Sequence, residues 1–232
     1  MTDHPQKNHL YSGPTRCQQR LAHPRMTQGE TSDERRALIS SLSRVFGLRF
    51  WDTPHPDHDF LNEVGLLFRR QLVDAENPLE RHGRAWANAY LVQQGVVRLF
   101  RESPSGKIAI HHFFAEGDMI WPVFGRSRTV RNTLCLTAVT PCTLWVADFT
   151  AFRSIVQSRG EDRWARFALS LTEELAETST MREFQRSTMP ASERYQILLR
   201  DYPELVQRVP NSQLAAWMGV VPATFSRLKH SK

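Results

Sequence analysis

The chain has 232 residues, of which 41% are hydrophobic and 23% charged, and this composition excludes a fibrous, wholly disordered or membrane-spanning protein. Such a length allows one or two domains, each large enough to bury a core without disulfide bonds. The formal net charge is +6, and residues 181–232 carry eight basic side chains against four acidic ones, a local charge of +4. A basic terminal segment favours a polyanionic partner, because neutralising phosphates releases their condensed counterions.

The sequence offers no targeting signal and no evident metal site. The N-terminal MTDHPQKNHLYSGPTRCQQR has no apolar stretch that could direct secretion, and no run approaches the roughly 18 apolar residues of a membrane helix. Cys17, Cys135 and Cys142 form no CxxC pair, so we expect free thiols rather than a disulfide framework, a zinc site or a cluster. We therefore expect a cytoplasmic protein with no metal, no cofactor and no membrane partner.

The N-terminal third is predicted to contain an arm, a helix and a loop. Residues 1–30 are rich in Pro, Gln, His and Gly without apolar periodicity, which predicts a disordered arm. Thr31 and Glu34 in TSDE form a capping box, so a helix should begin there and end near Gly47. The prolines in the following segment, WDTPHPDHD, predict a loop.

The middle of the chain changes to strand-like patterns. The segment AYLVQQGVVRLFRESPSGKIAIHHFFAEGDMIWP consists of short apolar or alternating stretches separated by turn residues. TLCLTAV and TLWVA, joined at Thr140-Pro141, form a further pair of strands. Together these predict an antiparallel β-roll or small barrel. Simple alternation in one strand would place Ile108, Ile110, His112 and Phe114 on one face and Ala109, His111 and Phe113 on the other.

Two helices are predicted to follow the β-roll. The first begins at Asp148 as N-cap and ends at Gly160, and a longer one covers residues 161–186. In the long helix, side chains at +4, +3 and +4 spacing form a seam suited to a subunit interface, consisting of Trp164, Ala168, Leu171 and Leu175. Packing of the same seam on the chain's own β-domain is the alternative. Proline and small polar residues in STMPASE predict a boundary near Pro190.

The strongest motif is NSQLAAWMGVVPATFSRLKH, residues 211–230, whose pattern fits a helix-turn-helix. Asn211 or Ser212 would cap the first helix, Gly219 would allow a left-handed turn, and Pro222 would occupy the first turn of the second helix. The inward positions are Leu214, Ala215, Met218, Val220, Phe225 and Leu228.

The outward positions of the second helix combine short side chains with cations. Short residues would let this helix enter a DNA major groove, where Arg227 can pair bidentately with guanine and Thr224, Ser226 and Lys229 can bind phosphates. The expected DNA-binding residues are Ser212, Pro222, Ala223, Thr224, Ser226, Arg227 and Lys229. A small helical hairpin with a solvated basic face is the alternative.

The whole arrangement resembles the Crp/Fnr superfamily of bacterial transcription regulators. The resemblance rests on the turns QQG and AEGD of the roll, the long helix, and above all SERYQILLRDYPELVQRVPNSQLAAWMGVVPATFSRLK. It implies an α+β fold in which an N-terminal antiparallel β-roll, or cyclic-nucleotide-binding-like jelly roll, is joined by a long dimerisation helix to a C-terminal helix-turn-helix domain. The corresponding ranges are 1–30 for the arm, 31–160 for the sensor domain, 161–189 for the connecting helix and 190–232 for the DNA-binding domain.

The resemblance also implies function and partners. It implies a homodimer on a pseudo-palindromic site in double-stranded DNA, with RNA polymerase as a further partner, and it places Arg227 at the base-reading position. Relatives often have an acidic residue where this chain has Ala223, so a standard operator sequence is not expected.

The cyclic-nucleotide cassette of the family is degenerate in this chain. Trp121-Pro122-Val123 stands where responsive relatives have a Gly-Glu pair, and Arg131-Asn132-Thr133 only loosely matches their phosphate-binding run. We therefore expect no tight binding of cyclic AMP. Arg126, Arg128 and Arg131 could still form an anion-binding effector pocket, with an exposed basic loop as the alternative.

Two further function classes stay open at the level of sequence. The segment GDMIWPVFG resembles part of a cupin motif, which would suggest a metal-dependent enzyme, but the His-x-His pair of cupins is absent. His111 and His112 are adjacent, and alternation along a strand would point them to opposite faces. The other class is a nucleotide-sensing interaction module whose terminal helices bind no DNA.

Overall fold

The computed structural model describes residues 25–26, 31–48, 57–82, 84–103, 105–122 and 134–231. Two antiparallel sheets form its β-roll, with strand orders β1-β2-β9-β4-β7 and β3-β8-β5-β6. The strands are β1 (Arg25–Met26), β2 (Arg69–Val73), β3 (Pro78–Glu80), β4 (Asn88–Gln94), β5 (Val97–Glu102), β6 (Ile108–Phe114), β7 (Met119–Ile120), β8 (Leu134–Ala138) and β9 (Cys142–Asp148).

Helices precede and follow the strands of the roll in the sequence, and the C-terminal domain consists of helices. They are α1 (Ser32–Val45), α2 (His58–Leu67), α3 (Phe149–Ser158), α4 (Glu161–Thr188), α5 (Ala191–Asp201), α6 (Pro203–Arg208), α7 (Asn211–Met218) and α8 (Pro222–His230). This architecture confirms the predicted α+β fold with a β-roll, a long helix and a terminal helical domain. Among the described helices, none is both long and apolar enough to cross a membrane.

The N-terminal elements confirm one prediction and correct two. Thr31 and Glu34 form the predicted capping box, with each side chain accepting from the other's backbone N–H. The predicted loop WDTPHPDHD is wrong at its end, since α2 begins at His58, and residues 51–56 lie outside the described residues. Within the predicted arm, Arg25–Met26 pair with β2 as an edge strand, and the rest of the arm is not described.

A β-bulge in β6 overturns the predicted alternation of that strand. Leu99 of β5 faces His112 and the next residue, Phe100, faces Ile110, so His111 is an extra residue on its strand. Such an insertion reverses the faces beyond it. Ile110 and Phe113 accordingly share a cluster with the C-terminal helices, while Phe114 lies in the cluster inside the roll.

The seam of α4 packs on the chain's own core, which was the alternative to a subunit interface; since Ala168, Leu171 and Leu175 are only half-buried, the interface itself stays a prediction. Trp164 is buried and makes an edge-to-face contact with Trp121, the rings 5.5 Å apart. Ala168 and Leu171 pack partly buried on the same cluster, and Leu175 packs against the cluster inside the roll. The heptad-like spacing could not distinguish these two outcomes, because any helix lying on a core needs a similar apolar stripe.

Candidate nucleic-acid interface

A small helical core supports the C-terminal helix-turn-helix. Phe225 of α8 is buried and meets the ring of Tyr195 from α5 edge-to-face at 5.5 Å. Leu214 and Ala215 of α7 have no exposed surface, which confirms their predicted inward positions. The predicted inward residues Met218, Val220 and Leu228 belong to or pack against the same cluster.

The turn between α7 and α8 depends on Gly219. Its φ of 70° and ψ of 34° are left-handed, as predicted, and the following N–H of Val220 donates to the carbonyl of Ala215 at 2.9 Å. This backbone bond satisfies a carbonyl at the helix end. Pro222 then occupies the first turn of α8, where its missing N–H removes no helical hydrogen bond. The turn therefore sets the angle at which α8 leaves the domain.

The predicted outward face of α8 is open to solvent. Ala223, Ser226, Arg227 and Lys229 are exposed, and Thr224 is half-buried. Arg227 donates from Nε to the carbonyl of Ala223 at 3.4 Å and, within the described residues, neither it nor Lys229 forms an ion pair. The structure thus places a shallow surface of short side chains next to two cations whose charges are not compensated locally.

His230 extends this face and was missed by the sequence prediction. It lies three residues after Arg227 and seven after Ala223, a spacing that returns to the same side of a helix. Its Nδ1 lies 2.7 Å from the carbonyl oxygen of Ser226. The spacing alone could have identified this residue.

The predicted cap of α7 is wrong. Pro210 occupies the N-cap position without a side-chain cap, and Asn211 is already the first helical residue. Ser212 is exposed in the first turn of α7, where its backbone N–H is one of those left without a helical partner.

The helical domain docks on the β-roll through contacts that sequence analysis did not identify. Trp217 of α7 meets Phe113 of β6 edge-to-face, with the ring centres 5.6 Å apart. Arg208 donates from both terminal nitrogens to the carboxylate of Glu116 at 2.6 and 2.8 Å, and these hydrogen bonds lower the pKa of Glu116 to about 2. Such long-range pairs leave no periodic signal in the sequence, so only the fold reveals them.

The other residues singled out by the sequence lie outside the described residues or away from the helix-turn-helix. Arg126, Arg128 and Arg131, the expected effector pocket, lie outside the described residues, as does Cys17. Trp121, which stands where relatives begin their cyclic-nucleotide cassette, is buried against Trp164. Cys135 and Cys142 are buried free thiols, and the described part of the chain holds no cluster of three His, Cys, Asp or Glu side chains suited to a metal ion.

Comparison with known proteins identifies the fold. The regulator CLP of Xanthomonas campestris, which is responsive to c-di-GMP, is similar with a TM-score of 0.61 at 16% identity, over 74% of this chain and 89% of CLP. FixK2 from Bradyrhizobium japonicum gives a TM-score of 0.58 at 16% identity, covering 70% of this chain and 82% of FixK2. A candidate Crp/Fnr-family regulator from Eubacterium rectale gives 0.59 at 13% identity, over 75% and 84% of the two chains.

At such identities these similarities establish a shared fold. The chain has the fold of Crp/Fnr regulators, as its sequence resemblance implied. No protein-family model matches the chain, and no curated protein matches it.

Proposed function

We propose that this chain is a sequence-specific DNA-binding transcription regulator of the Crp/Fnr type, acting as a homodimer on a pseudo-palindromic operator. The observation that carries the proposal is the exposed face of α8, where short side chains surround Arg227 on a helix held by a buried core. A helix in the major groove needs short residues for close approach and an arginine to read guanine.

The roles of the individual residues follow from their positions on this face. Arg227 reads a base edge, because its guanidinium can form two hydrogen bonds with guanine O6 and N7. Thr224, Ser226 and Lys229 bind phosphates, and the exposed turn of α7 at Ser212 offers backbone N–H groups to a further phosphate. Ala223 and Pro222 supply the shallow surface that lets α8 approach the base pairs.

The proposed dimer uses the side of α4 that faces away from Trp164. Leu169 and Phe184 are 58% and 53% exposed, and with Ala176 they follow seven- and eight-residue spacing along one helix face. Pairing two copies here would set two recognition helices about 34 Å apart, the distance between successive major grooves.

Selection from fragmented bacterial DNA tests the proposal. The full chain is expected to enrich a palindromic site over scrambled competitor at moderate salt. Arg227→Ala should weaken binding to that site by roughly 1–3 kcal/mol and relax the preference at one base position in each half-site. Arg200→Ala removes the same charge from an arginine of α5 that is paired with Asp201, so it controls for the general electrostatic loss.

If no duplex is preferred over scrambled competitor, or if Arg227→Ala and Arg200→Ala change binding equally at every sequence, α8 is not a base-reading helix.

The effector of the β-roll is proposed to be something other than a cyclic nucleotide. Trp121 fills space in the core where responsive relatives begin their ligand cassette. Calorimetric titration of the full chain with cyclic AMP and cyclic GMP is expected to show no binding, and micromolar affinity for either would contradict this.

A further inference from the structure

A cavity of about 260 Å³ lies at the joint between the long helix and the helical domain. One wall is the C-terminal half of α4, and the opposite wall is formed by α5 and α7. The cavity is distinct from both the α8 surface and the interior of the roll. Any molecule bound there would touch both of the parts whose relative orientation positions the recognition helix.

Three arginines line this cavity with little local compensation. Arg182 donates to the carbonyls of Thr178 and His111, and Arg194 donates to the carbonyl of Arg186 at 3.4 Å. In the described part of the chain, Arg182 and Arg194 form no ion pair. Two of the three positive charges, those of Arg182 and Arg186, thus lie on α4, and the third, that of Arg194, lies on α5 opposite them.

The acidic groups near the cavity compensate these arginines only in part. Asp201 is engaged by Arg200 at 2.6 and 3.0 Å, and Glu183 approaches Arg186 only to 3.9 Å on the exposed side of α4. Glu177 also lines the cavity. Burial and, to a lesser extent, the charge of Arg186 lower the pKa of both Arg182 and Arg194.

Two buried donors at this site have no acceptor among the described residues. Trp217 is 8% exposed, and neither its indole Nε1 nor Nε of Arg194 has a hydrogen-bond partner in that part of the chain. Both residues line the cavity. A buried donor left unpaired is unfavourable, so the protein does not by itself satisfy all the hydrogen-bonding groups packed around this cavity.

The remaining wall is apolar and limits the size of a ligand. It is formed by Met181, Ile197, Leu198 and Met218 together with the ring of Trp217. Methionine and tryptophan side chains suit a flat or irregular apolar group. The volume lies just below the range of about 300–1,000 Å³ typical of pockets for drug-sized ligands, which favours a small molecule.

We infer that this cavity binds a small amphipathic anion, a phosphate monoester or carboxylate on an aromatic or short aliphatic body. Arg186 and Arg194 hold the acidic group, and the methionines cover the apolar body. Binding itself does not depend on the proposed DNA recognition. A bound ligand would fix the angle between α4 and the helical domain. Only the regulatory meaning of that angle rests on the proposed DNA-binding function.

Calorimetric titration of the full chain at low salt, without DNA, tests the inference. Phenyl phosphate and benzoate represent the anion class, while benzyl alcohol lacks the charge and inorganic phosphate lacks the apolar body. We expect one phenyl phosphate or benzoate to bind per chain, about tenfold or more tightly than either benzyl alcohol or phosphate. Arg194→Gln should weaken this binding by about tenfold, since it removes a charge-assisted hydrogen bond.

Arg166→Gln is the matched control, because Arg166 lies on the same helix but is exposed and paired with Asp162. Circular dichroism and thermal melting establish that each variant is folded. The inference is overturned if neither aromatic anion binds saturably at millimolar concentration, if inorganic phosphate binds as tightly as phenyl phosphate, or if Arg194→Gln and Arg166→Gln have equal effects.

Discussion

Glu80 is a carboxyl group buried inside the roll. It is 8% exposed and accepts a hydrogen bond from the hydroxyl of Tyr90 at 2.7 Å and from the amide of Asn88 at 3.4 Å. Burial outweighs these bonds and raises the pKa of Glu80 to about 7. Because the folded-state pKa lies above the ordinary value of 4.5, stability is highest where Glu80 is protonated in both states and falls as the pH rises towards 7.

Glu80→Gln should remove this pH dependence, since glutamine keeps the acceptor for Tyr90 but carries no charge. Relative to the wild type, the variant is expected to gain roughly 3 kcal/mol in free energy of unfolding between about pH 4.5 and pH 8. Urea unfolding of both proteins at each pH measures the difference between their free energies of unfolding. The contributions of the other titrating groups are the same in both proteins and cancel in this difference. A difference that does not change with pH would show that Glu80 ionises freely in the folded protein.

Among the single elements, the turn between α7 and α8 can be tested by one substitution at Gly219. Gly219→Ala should destabilise the protein by about 1–2 kcal/mol, because alanine is disfavoured at a φ of 70°. Gly47→Ala is the control, since its φ is 65° but an added Cβ would touch none of the described residues, whereas at Gly219 it would lie 3.0 Å from Nε of Arg186. Urea unfolding measures how much more free energy of unfolding is lost in Gly219→Ala than in Gly47→Ala, and this difference should disappear when Arg186 is also replaced by alanine. If Gly219→Ala does not change the stability, the left-handed turn is contradicted.

Which elements were predictable from the sequence depends on whether their signal is local. The capping box at Thr31, the left-handed Gly219 and the inward and outward faces of α8 were predictable because each depends on residues within a few positions. The bulge at His111 was not, since it is defined by the register between β5 and β6. For the same reason the contact between Trp217 and Phe113 was invisible before the fold was known.

The long helix α4 illustrates an ambiguity that periodicity cannot resolve. Its apolar seam at Trp164 lies on the chain's own core, which leaves Leu169 and Phe184 exposed on another side. Leu169→Glu combined with Phe184→Glu should therefore convert the proposed dimer into a monomer, since buried like charges would face each other across the subunits. Sedimentation velocity checks this, and Leu66→Glu, at a 73% exposed leucine of α2, should leave the dimer intact. A double variant that still dimerises would place the interface elsewhere.

At the scale of the whole molecule, the helical domain and the roll share one apolar cluster. Ile110 and Phe113 of β6 belong to it together with Trp217 of α7, and the ion pair between Arg208 and Glu116 also joins the two parts. The pKa of Glu116 is lowered to about 2, so this stabilisation is complete above about pH 4.5 and is lost as the pH falls towards 2. The two parts should consequently unfold together near neutral pH.

Two neighbouring residues of β6 allow that coupling to be tested. Phe113 and Phe114 are equally buried, each 5% exposed, but Phe113 faces the helical domain and Phe114 faces the interior of the roll. Each truncation to alanine should lower stability by about 3–5 kcal/mol. Calorimetry of Phe114→Ala is expected to show one transition at lower temperature, whereas Phe113→Ala should split the transition or lower the van't Hoff enthalpy below the calorimetric enthalpy, because the domains then unfold separately. A single cooperative transition in both variants would mean that the ion pair of Arg208 and the remaining contacts suffice to couple the domains.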